Sequence, residues 1–376
     1  MASGDWKETA FLAGAVLIFL TFDVTLVLFA MGWFKPKNHF PVDGRTVLVT
    51  GASQGMGRAA VKLLAQKGAN VVIVSRNASK MEAVVEEMKR TAMKPQIQRF
   101  HYISADLAKN EESIRVVEEV TQWNNGEPPD IVWTIAGAAH PSLFIDVDAE
   151  VLREQMDTNY WTAAYLGHAI LRSWLKPFSK LSESERKAAG NAPIPRQFIM
   201  TSSVAAFAGL AGYAPYAPTK AAMRCLADCL RSELNLYNGA RRGTNSSVVA
   251  TAPVADVKIR CVFPGCILSP GFENESRLKH PITKILEDAD IQQTEEEAAK
   301  ASIKELEGGA YFATTQIIGS AMRAGSLQGS PRNSLIVDTL FGWLANLLWL
   351  FIAPDMERKA WKYGKTHGVT KGEPGK

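Results

Sequence analysis

Short apolar runs alternate with longer amphipathic stretches along most of this chain, and that alternation constrains the fold more than any other feature. From Arg45 onward, six runs rich in Val and Ile end near Gly, Ser or Asp, as short buried strands do. The six runs are RTVLVTG, NVVIVSR, QRFHYISAD, DIVWTIAG, RQFIMTSS and VKIRCVFPG. The alternation predicts an α/β fold with a doubly wound parallel sheet covered on both faces. Ligands bind such a sheet beyond the carboxyl ends of its strands.

An apolar run near the N-terminus is long enough to cross a membrane. Residues 10 to 34 contain a single charged side chain, and a helix that crosses the bilayer core needs roughly 20 residues. A cleaved signal peptide is the alternative, but its apolar region is usually about 7–15 residues long, and no small-residue cleavage site closes this run. We expect a retained anchor over residues 1–42. Because Lys35 and Lys37 follow the run, the positive-inside rule places the next domain, residues 43–330, in the cytosol.

A second apolar run covers residues 334 to 354, inside a C-terminal segment of residues 331–376. Basic residues flank it on both sides, for example Arg332 before it and Arg358 after it. Such flanks predict a segment that dips into the membrane or lies along it, with both ends in the cytosol. The alternative is a helix that packs on the domain or on a second copy of the chain.

Composition excludes several classes of function. The chain has 376 residues, 47% hydrophobic and 21% charged, which predicts a folded core rather than disorder. The net charge of +4 comes from scattered basic residues and does not favour a nucleic acid as partner. The four cysteines form no CxxC pair and have no His or carboxylate cluster beside them, which predicts reduced, buried thiols and no metal site.

Two polar stretches, residues 179–195 and 238–256, are interpreted as loop insertions without assigned chemistry.

A glycine-rich turn follows the first predicted strand. In TGASQGMGR, Gly51, Gly55 and Gly57 are spaced as G-x-x-x-G-x-G, between a buried strand and a helix. Glycines at such a junction allow a tight turn and a close approach of the backbone to a pyrophosphate, and the helix N-terminus favours its negative charge. The turn therefore indicates a dinucleotide site.

The end of the second predicted strand indicates which dinucleotide is bound. A site for NAD usually offers a carboxylate here to the ribose hydroxyls, whereas this chain has Ser75 and Arg76. A carboxylate would repel a 2′-phosphate, while an arginine can bind it with two hydrogen bonds. We therefore expect NADPH rather than NADH. Asp106, after the third strand, could contact the adenine ring or cap the next helix.

Together these residues resemble the short-chain dehydrogenase/reductase family, which has a Rossmann-like sheet. The segment TGxxxGxG begins at Thr50, YxxxK is met by Tyr216 and Lys220, and Ser203 lies thirteen residues before Tyr216. Asn159 in MDTNYW matches the fourth catalytic residue of the family. The resemblance covers roughly residues 43 to 270. The contacts that it implies for the cofactor are Gly51, Ser53, Gln54, Gly55, Met56, Gly57, Ser75, Arg76, Asp106, Leu107, Ala136, Gly137, Tyr216, Lys220, Pro264, Gly265, Ile267 and Ser269.

The chain departs from the family pattern at three places. The NNAG stretch of the family is TIAG here, which keeps Ala136 and Gly137 but loses the side-chain contacts of two asparagines. In PGCILS, Ser269 takes the place of a threonine that meets the carboxamide or the phosphates. A seventh strand of the sheet is hard to find before the C-terminal apolar run.

The reaction explains why these residue types are needed. A ketone that accepts hydride becomes an alkoxide, which needs a proton donor and preorganised hydrogen bonds. Lys220 lies one helical turn after Tyr216, so its ammonium is expected to lower the pKa of Tyr216 rather than that of Tyr213. In the family, the lysine also binds the nicotinamide ribose, the serine donates to the carbonyl, and the asparagine holds a water. Tyr213 is interpreted as a pocket wall or a packed side chain.

The membrane segments point to a substrate dissolved in lipid. AGAAHPSLF, PGCILSPGFENESRLK and the two apolar runs resemble the fungal branch of the family that reduces 3-ketodihydrosphingosine, a long-chain sphingoid ketone. That resemblance implies NADPH-dependent formation of dihydrosphingosine on the cytosolic face of the endoplasmic reticulum membrane. His140, Phe144 and Phe272 are candidate substrate contacts. A membrane-bound steroid, retinol or other lipid-ketone oxidoreductase is the alternative, and a cofactor-binding scaffold is the non-enzyme alternative. The family also implies a homo-oligomer.

Overall fold

The computed structural model describes residues 37–180 and 194–369. The anchor expected over residues 10 to 34 lies outside the described residues, as does most of the 179–195 insertion. From Phe40 onward the chain forms one compact unit.

A seven-stranded parallel sheet forms the centre of this unit. The strands of the molecule are β1 Thr46–Thr50, β2 Asn70–Ser75, β3 Phe100–Ser104, β4 Ile131–Thr134, β5 Arg196–Thr201, β6 Val257–Phe263, β7 Cys266–Leu268, β8 Gln292–Thr294 and β9 Phe312–Thr314. The main sheet has the order β3-β2-β1-β4-β5-β6-β9. The strand order reverses between β1 and β4, where an open α/β sheet leaves a crevice for a ligand. All six predicted strands and the predicted parallel, doubly wound sheet are confirmed.

The seventh strand of the sheet exists, although no strand was evident at this point in the sequence. It is β9, which has three residues and pairs with the end of β6 through Cys261 and Phe312. A strand this short carries no periodic signal, and its partner is remote in the sequence. The short parallel pair of β7 and β8 escaped notice for the same reason.

Helices cover both faces of the sheet. Their bounds are α1 Gly55–Gln66, α2 Ala78–Thr91, α3 Asn110–Trp123, α4 Ala149–Met156, α5 Thr162–Trp174, α6 Ala217–Ala240, α7 Ser246–Val249, α8 Pro270–Leu278, α9 Pro281–Leu286, α10 Glu295–Glu307, α11 Ile317–Gly325 and α12 Leu335–His367. One core lies under α1, α2 and α10, with Leu64, Met81 and Ile303 buried in it. The other lies under α3, α5 and α6 and buries Val116 and Leu166. Burial on both faces explains why the strands are apolar throughout.

The C-terminal apolar run forms part of α12, which packs on α11 and also contacts α9. The anchoring contact is a buried ion pair, in which Arg323 and Asp338 approach to 2.6 Å with side chains 6% and 3% exposed. Next to it, a Cβ at Gly342 would lie 3.0 Å from the carbonyl oxygen of Ala324, so the two helices meet closely. The helix continues past Pro354, beyond the run of 334 to 354 that the sequence delimits.

Most apolar side chains of α12 are largely exposed in the part of the chain that the structure describes. Its most apolar window has a mean hydropathy of 1.9, and only 11% of that window is buried. Trp343 and Phe351 are each 70% exposed. Within the described residues, α12 is the one helix that is long and apolar enough to cross a membrane. The interpretation of this run as a helix packed on the domain therefore accounts for the packed face of α12. The membrane interpretation remains the one that accounts for its exposed apolar faces.

The prediction that all thiols are buried was wrong. Cys261 is buried in β6 and Cys266 is partly buried, but Cys225 and Cys229 are exposed on α6. This helix buries a single stripe that includes Met223 and Ala227, and the two cysteines occupy another face.

Candidate active site

The glycine-rich turn joins β1 to α1 at the carboxyl edge of the sheet. Gly51 and Gly55 have φ angles of +68° and +65°, which favour glycine. A Cβ at Gly51 would lie 2.6 Å from the backbone nitrogen of Ala136, and one at Gly57 would lie 2.3 Å from the carbonyl oxygen of Gly51. Gln54, the residue before α1, gives the helix no side-chain cap. The first N–H groups of α1 can therefore bind the oxygens of a pyrophosphate.

The polar residues after β2 and β3 lie beside this turn. The hydroxyl of Ser75 donates to that of Ser53 over 3.1 Å. Arg76 is exposed, and its guanidinium has no partner among the described residues. Asp106 accepts from the N–H of Ala108 and does not cap α3, whose N-cap is Lys109. The side chain of Leu107 packs in the core.

Asn159 is fully buried in a π-helical turn, Asp157–Trp161, between α4 and α5. Its side chain accepts from the N–H of Ala138 over 3.0 Å and donates to the carbonyl of the same residue over 2.9 Å. A Cβ at Gly137 would lie 2.8 Å from Oδ1 of Asn159 and 3.1 Å from Nζ of Lys220. Asn159 therefore fixes the loop after β4. Because Gly137 has no side chain, it leaves room for the side chains of Asn159 and Lys220 beside that loop. Short π-helical turns of this kind are frequent at functional sites.

Two adjacent serines follow β5 and have different environments. Ser202 is buried, and its hydroxyl donates to the carbonyl of Lys220 over 2.8 Å, which ties β5 to α6. Ser203 lies on the cavity wall and its hydroxyl accepts from the N–H of Ala205 over 3.2 Å. The Ser203 hydroxyl also acts on the phenol of Tyr216, whose pKa it lowers. Ser203, and not Ser202, is the serine placed against this tyrosine.

Tyr216 stands directly before α6, and Lys220 lies one turn into that helix. The ammonium of Lys220 is buried, donates to the carbonyl of Thr201 over 3.1 Å, and lies 5.6 Å from the centroid of the Tyr216 ring. Tyr213 is also buried, with its ring 5.9 Å from that of Tyr216 and its hydroxyl bonded to Glu275. Tyr213 thus forms part of the cavity wall.

The pKa values of the pair differ from the expectation. Burial lowers the pKa of Lys220 to about 8. Burial, with a smaller contribution from the charge of Glu275, raises the pKa of Tyr216 above its usual value, although the hydrogen bond from Ser203 opposes this shift. The lowered pKa that the sequence predicts for Tyr216 is not found, because burial and the charge of Glu275 outweigh the opposing contribution. Tyr216 therefore stays protonated at neutral pH, as a proton donor must.

Comparison with known proteins identifies the family. The family model for short chain dehydrogenase matches residues 45–277. The chain belongs to the short-chain dehydrogenase family. A 3-ketodihydrosphingosine reductase of Aspergillus fumigatus is 49% identical over 88% of this chain and 88% of its own length. A 3-ketodihydrosphingosine reductase of Neurospora crassa is 39% identical over 90% of this chain and 87% of its own.

The fold of this short-chain dehydrogenase also matches a solved structure. A short-chain type dehydrogenase/reductase from Mycobacterium ulcerans superimposes with a TM-score of 0.54 and is 23% identical, over 74% of this chain and 88% of its own. That match concerns the fold alone. The family uses a nicotinamide cofactor, and the uncapped start of α1 and the glycine approaches at the turn fit such a group.

A cavity of about 950 Å³ runs from the glycine-rich turn past the catalytic candidates to α12. The sequence-predicted residues that line it are Gly51, Gln54, Met56, Gly57, Gly137, Ser203, Tyr216, Lys220, Pro264, Gly265, Ile267 and Ser269. Asn159, Ala136, Ser53, Gly55, Ser75, Arg76, Asp106 and Leu107 lie outside the lining. Ser75, Arg76, Asp106 and Leu107 lie at or after the ends of β2 and β3, whereas Asn159 is buried behind Gly137.

The segment after β6 forms the opposite wall of the cavity. A Cβ at Gly265 would lie 2.0 Å from the side-chain oxygen of Gln316, so the end of that side chain would have to move. Ser269 caps α8 by accepting from the N–H of Phe272 over 3.2 Å. Of the three candidate substrate contacts, Phe272 lines the cavity, whereas His140 and the exposed Phe144 do not.

Several lining residues escaped the sequence argument. Glu275, Lys279, Glu287 and Gln316 all line the cavity of this short-chain dehydrogenase, as do apolar residues of α12. Glu275 and Lys279 have the i, i+4 spacing of a helical ion pair, and this spacing could have been recognised in the sequence. Nothing in the sequence indicated that Gln316 or α12 would line the same cavity as Tyr216.

Proposed function

We propose that this chain reduces the 3-keto group of 3-ketodihydrosphingosine to dihydrosphingosine in sphingolipid synthesis, with NADPH as the hydride donor. The names of its relatives from Aspergillus and Neurospora support the substrate. One observation on this chain carries the proposal. A single cavity joins the Ser203 and Tyr216 hydroxyls to a long apolar wall, as a ketone with a long alkyl tail requires.

The apolar wall comes from the two C-terminal helices. Ile318 and Met322 of α11 line the cavity, together with Leu348, Trp349 and Ile352 of α12. The same helix exposes other apolar side chains on its outer faces. An alkyl chain would therefore lie between the catalytic residues and α12. Each methylene that leaves water would contribute roughly 0.8 kcal/mol of favourable transfer free energy.

The proposed mechanism assigns a role to each polar residue at the catalytic end. The nicotinamide ring supplies a hydride to the carbonyl carbon when bound. Tyr216 donates its proton to the oxygen as negative charge develops there, and Ser203 donates a hydrogen bond to the same oxygen. Lys220 binds the nicotinamide ribose with its ammonium. Asn159 fixes the loop after β4 and, as in the family, holds a water that links the lysine to solvent.

The choice of NADPH rests on Arg76 and Ser75. The guanidinium of Arg76 is exposed beside the glycine-rich turn and has no partner among the described residues, so it is available to bind a 2′-phosphate with two hydrogen bonds. No carboxylate takes the corresponding position at the end of β2. This arrangement favours the phosphorylated cofactor.

We further propose a location at the endoplasmic reticulum membrane with the catalytic domain in the cytosol. Residues 1–42 would be the anchor, 43–330 the catalytic domain and 331–376 a second membrane-associated segment. The exposed apolar faces of α12 support the last assignment, and Arg358, Lys359 and Lys362 follow its apolar part, where they can meet anionic headgroups.

A homo-oligomer is part of the same proposal. The family often pairs through the helices that bear Asn159 and Tyr216. On these elements Trp161 is 37% exposed and Leu236 is 75% exposed, which offers apolar surface to a second copy.

The proposed function is tested by NADPH oxidation with detergent-purified protein. 3-Ketodihydrosphingosine is offered beside a steroid ketone and retinal, with NADH as the cofactor control. We expect selective oxidation of NADPH with the sphingoid ketone. Turnover of the steroid ketone or retinal alone would contradict the substrate and leave the reductase assignment intact.

A further inference from the structure

A group of charged side chains lies on the cavity wall next to the catalytic tyrosine. It belongs to the lid segment, residues 270–291, which comprises α8, α9 and the loop after them. Lys279 approaches Glu275 to 3.0 Å and Glu287 to 2.7 Å, and the side chain of Lys279 is only 5% exposed. Its ammonium also lies 4.7 Å from the centroid of the Phe272 ring. The two carboxylates outweigh burial and raise the pKa of Lys279, so it stays charged.

Glu275 connects this group to the site of reduction. Its carboxylate accepts a hydrogen bond from the hydroxyl of Tyr213, whose ring lies 5.9 Å from that of Tyr216. The charge of Glu275 also contributes to the raised pKa of Tyr216. Glu275 is therefore linked to the reacting group both through Tyr213 and by its charge.

The lid segment presents more negative than positive charge to the cavity. Among its described residues, Glu275, Glu287 and Asp290 line the cavity with one ammonium, that of Lys279. Burial and the neighbouring Glu287 raise the pKa of Asp290, as expected where carboxylates crowd together. Lys220 and the ion pair of Lys359 with Asp355 also line the cavity, which leaves four carboxylates against three ammonium groups. A cation in the cavity would compensate the excess.

We propose that Glu275 binds the protonated amino group of the substrate and so selects an α-amino ketone over other lipid ketones. The inference rests on the proposed function. In a sphingoid ketone, the carbon that bears the amine is bonded to the carbonyl carbon, so a group that holds the amine must lie close to the proton donor. Glu275 lines the same cavity as Tyr216 and bonds to Tyr213, whose ring lies 5.9 Å from that of Tyr216. When the substrate amine binds to Glu275, Lys279 keeps its ion pair with Glu287.

Binding of the amine also favours the reaction itself. The negative charge of Glu275 opposes loss of the proton from Tyr216. A substrate ammonium beside Glu275 offsets that charge, and Tyr216 becomes a better donor at the moment when the carbonyl oxygen needs a proton. A ketone without the amine does not relieve the effect, so its reduction is slower even when its tail fits the cavity.

The test compares two substrates on four proteins. The substrates are 3-ketodihydrosphingosine and the same ketone with hydrogen in place of the amino group. The proteins are the wild type, Glu275→Gln, Glu275→Asp and the matched control Glu287→Gln, which removes the other carboxylate from Lys279. We expect Glu275→Gln to lower kcat/KM for the amino ketone by about 10- to 100-fold, the range for a lost hydrogen bond to a charged group. Reduction of the amine-free ketone should instead become faster, because the charge that opposes proton donation by Tyr216 is removed. Glu275→Asp should recover part of the loss.

The control Glu287→Gln distinguishes recognition of the substrate amine from structural support of the lid segment. Glu287→Gln should affect both ketones alike, because it disturbs Lys279 without removing the carboxylate that acts at Tyr216. Equal losses on both ketones in Glu275→Gln, or no loss, would overturn the inference. Binding of dihydrosphingosine, followed by fluorescence of Trp349 and the other tryptophans, gives a second measurement in which Glu275→Gln should weaken binding by the same factor. A wild-type protein that reduces only the amine-free ketone would instead overturn the proposed function, and this inference with it.

Discussion

The two ends of the cavity are built in different ways. At the cofactor end, the backbone forms the site, since Gly51 and Gly57 allow approaches that a Cβ would block at 2.6 Å and 2.3 Å. At the substrate end, side chains from remote segments form it. Glu275 of the lid segment bonds to Tyr213, 62 positions away in the sequence, and α12 adds its apolar face.

The difference teaches which part of such an enzyme is general and which is specific. A backbone cradle for phosphates needs only glycines at fixed spacing, so it can be shared by enzymes with unrelated substrates. A wall made of side chains can change residue by residue while the sheet stays the same. Tyr216 lies where the two ends meet, and the predictions below test this meeting point and each end of the cavity.

The largest effect is expected at the meeting point. Tyr216→Phe removes the proton donor and keeps the ring, so kcat should fall by about 10²- to 10⁴-fold while NADPH still binds. Tyr213→Phe is the matched control and should cost far less, because it loses only the hydrogen bond to Glu275. The measurements are steady-state reduction and NADPH fluorescence titration. Near-normal turnover by Tyr216→Phe would break the proposed mechanism.

A smaller effect, confined to the cofactor end, is expected from Arg76→Ala. Loss of the charged hydrogen bonds to a 2′-phosphate should raise the Kd for NADPH by about 10- to 100-fold and leave that for NADH unchanged. Arg90→Ala, which removes an exposed arginine from the far end of α2, should change neither. Equal weakening of NADPH and NADH binding by Arg76→Ala would mean that this arginine does not bind the 2′-phosphate.

The pH dependence tests the lysine between the two ends. Burial lowers the pKa of Lys220 to about 8, and the charged form is the one proposed to act. Raising the pH through that value therefore removes the charge, and kcat/KM should fall toward a tenfold loss per pH unit above it. The raised pKa of Tyr216 keeps the phenol protonated over the same range. A rate that stays constant from pH 7 to about two units higher would contradict this role for Lys220.

The smallest effect is expected on the apolar wall. Leu348→Ala removes part of the surface that α12 gives to the cavity and should raise KM for the long-chain ketone by about threefold to tenfold, with little change for a short-chain ketone. Leu350→Ala is the control, since Leu350 is 68% exposed and lies outside the cavity lining. A uniform change for both chain lengths would show that α12 supports the fold rather than the tail of the substrate.

The same contrast explains what the sequence could predict. The six strands, the glycine-rich turn and the order of Asn159, Ser203, Tyr216 and Lys220 follow from local patterns, because hydrophobic period and turn chemistry act over a few residues. The three residues of β9 and the close approach of Gln316 to Gly265 depend on partners far away in the chain. No local pattern encodes them.

The direction of the pKa shift on Tyr216 also needed the structure. Spacing alone places an ammonium one turn away and predicts a lowered pKa. Burial and the charge of Glu275 reverse that direction, and neither can be read from YxxxK. The extent of α12 beyond Pro354 was missed because proline usually ends a helix.

The central claim is that both ends of the cavity act on one carbonyl carbon. It is tested most directly by reduction of 3-ketodihydrosphingosine with NADPH that carries deuterium at the transferable position of the nicotinamide, followed by mass spectrometry of the product. The account predicts dihydrosphingosine that is one mass unit heavier, with the deuterium on the carbon that was the ketone. Cofactor oxidation without deuterium on that carbon would contradict it.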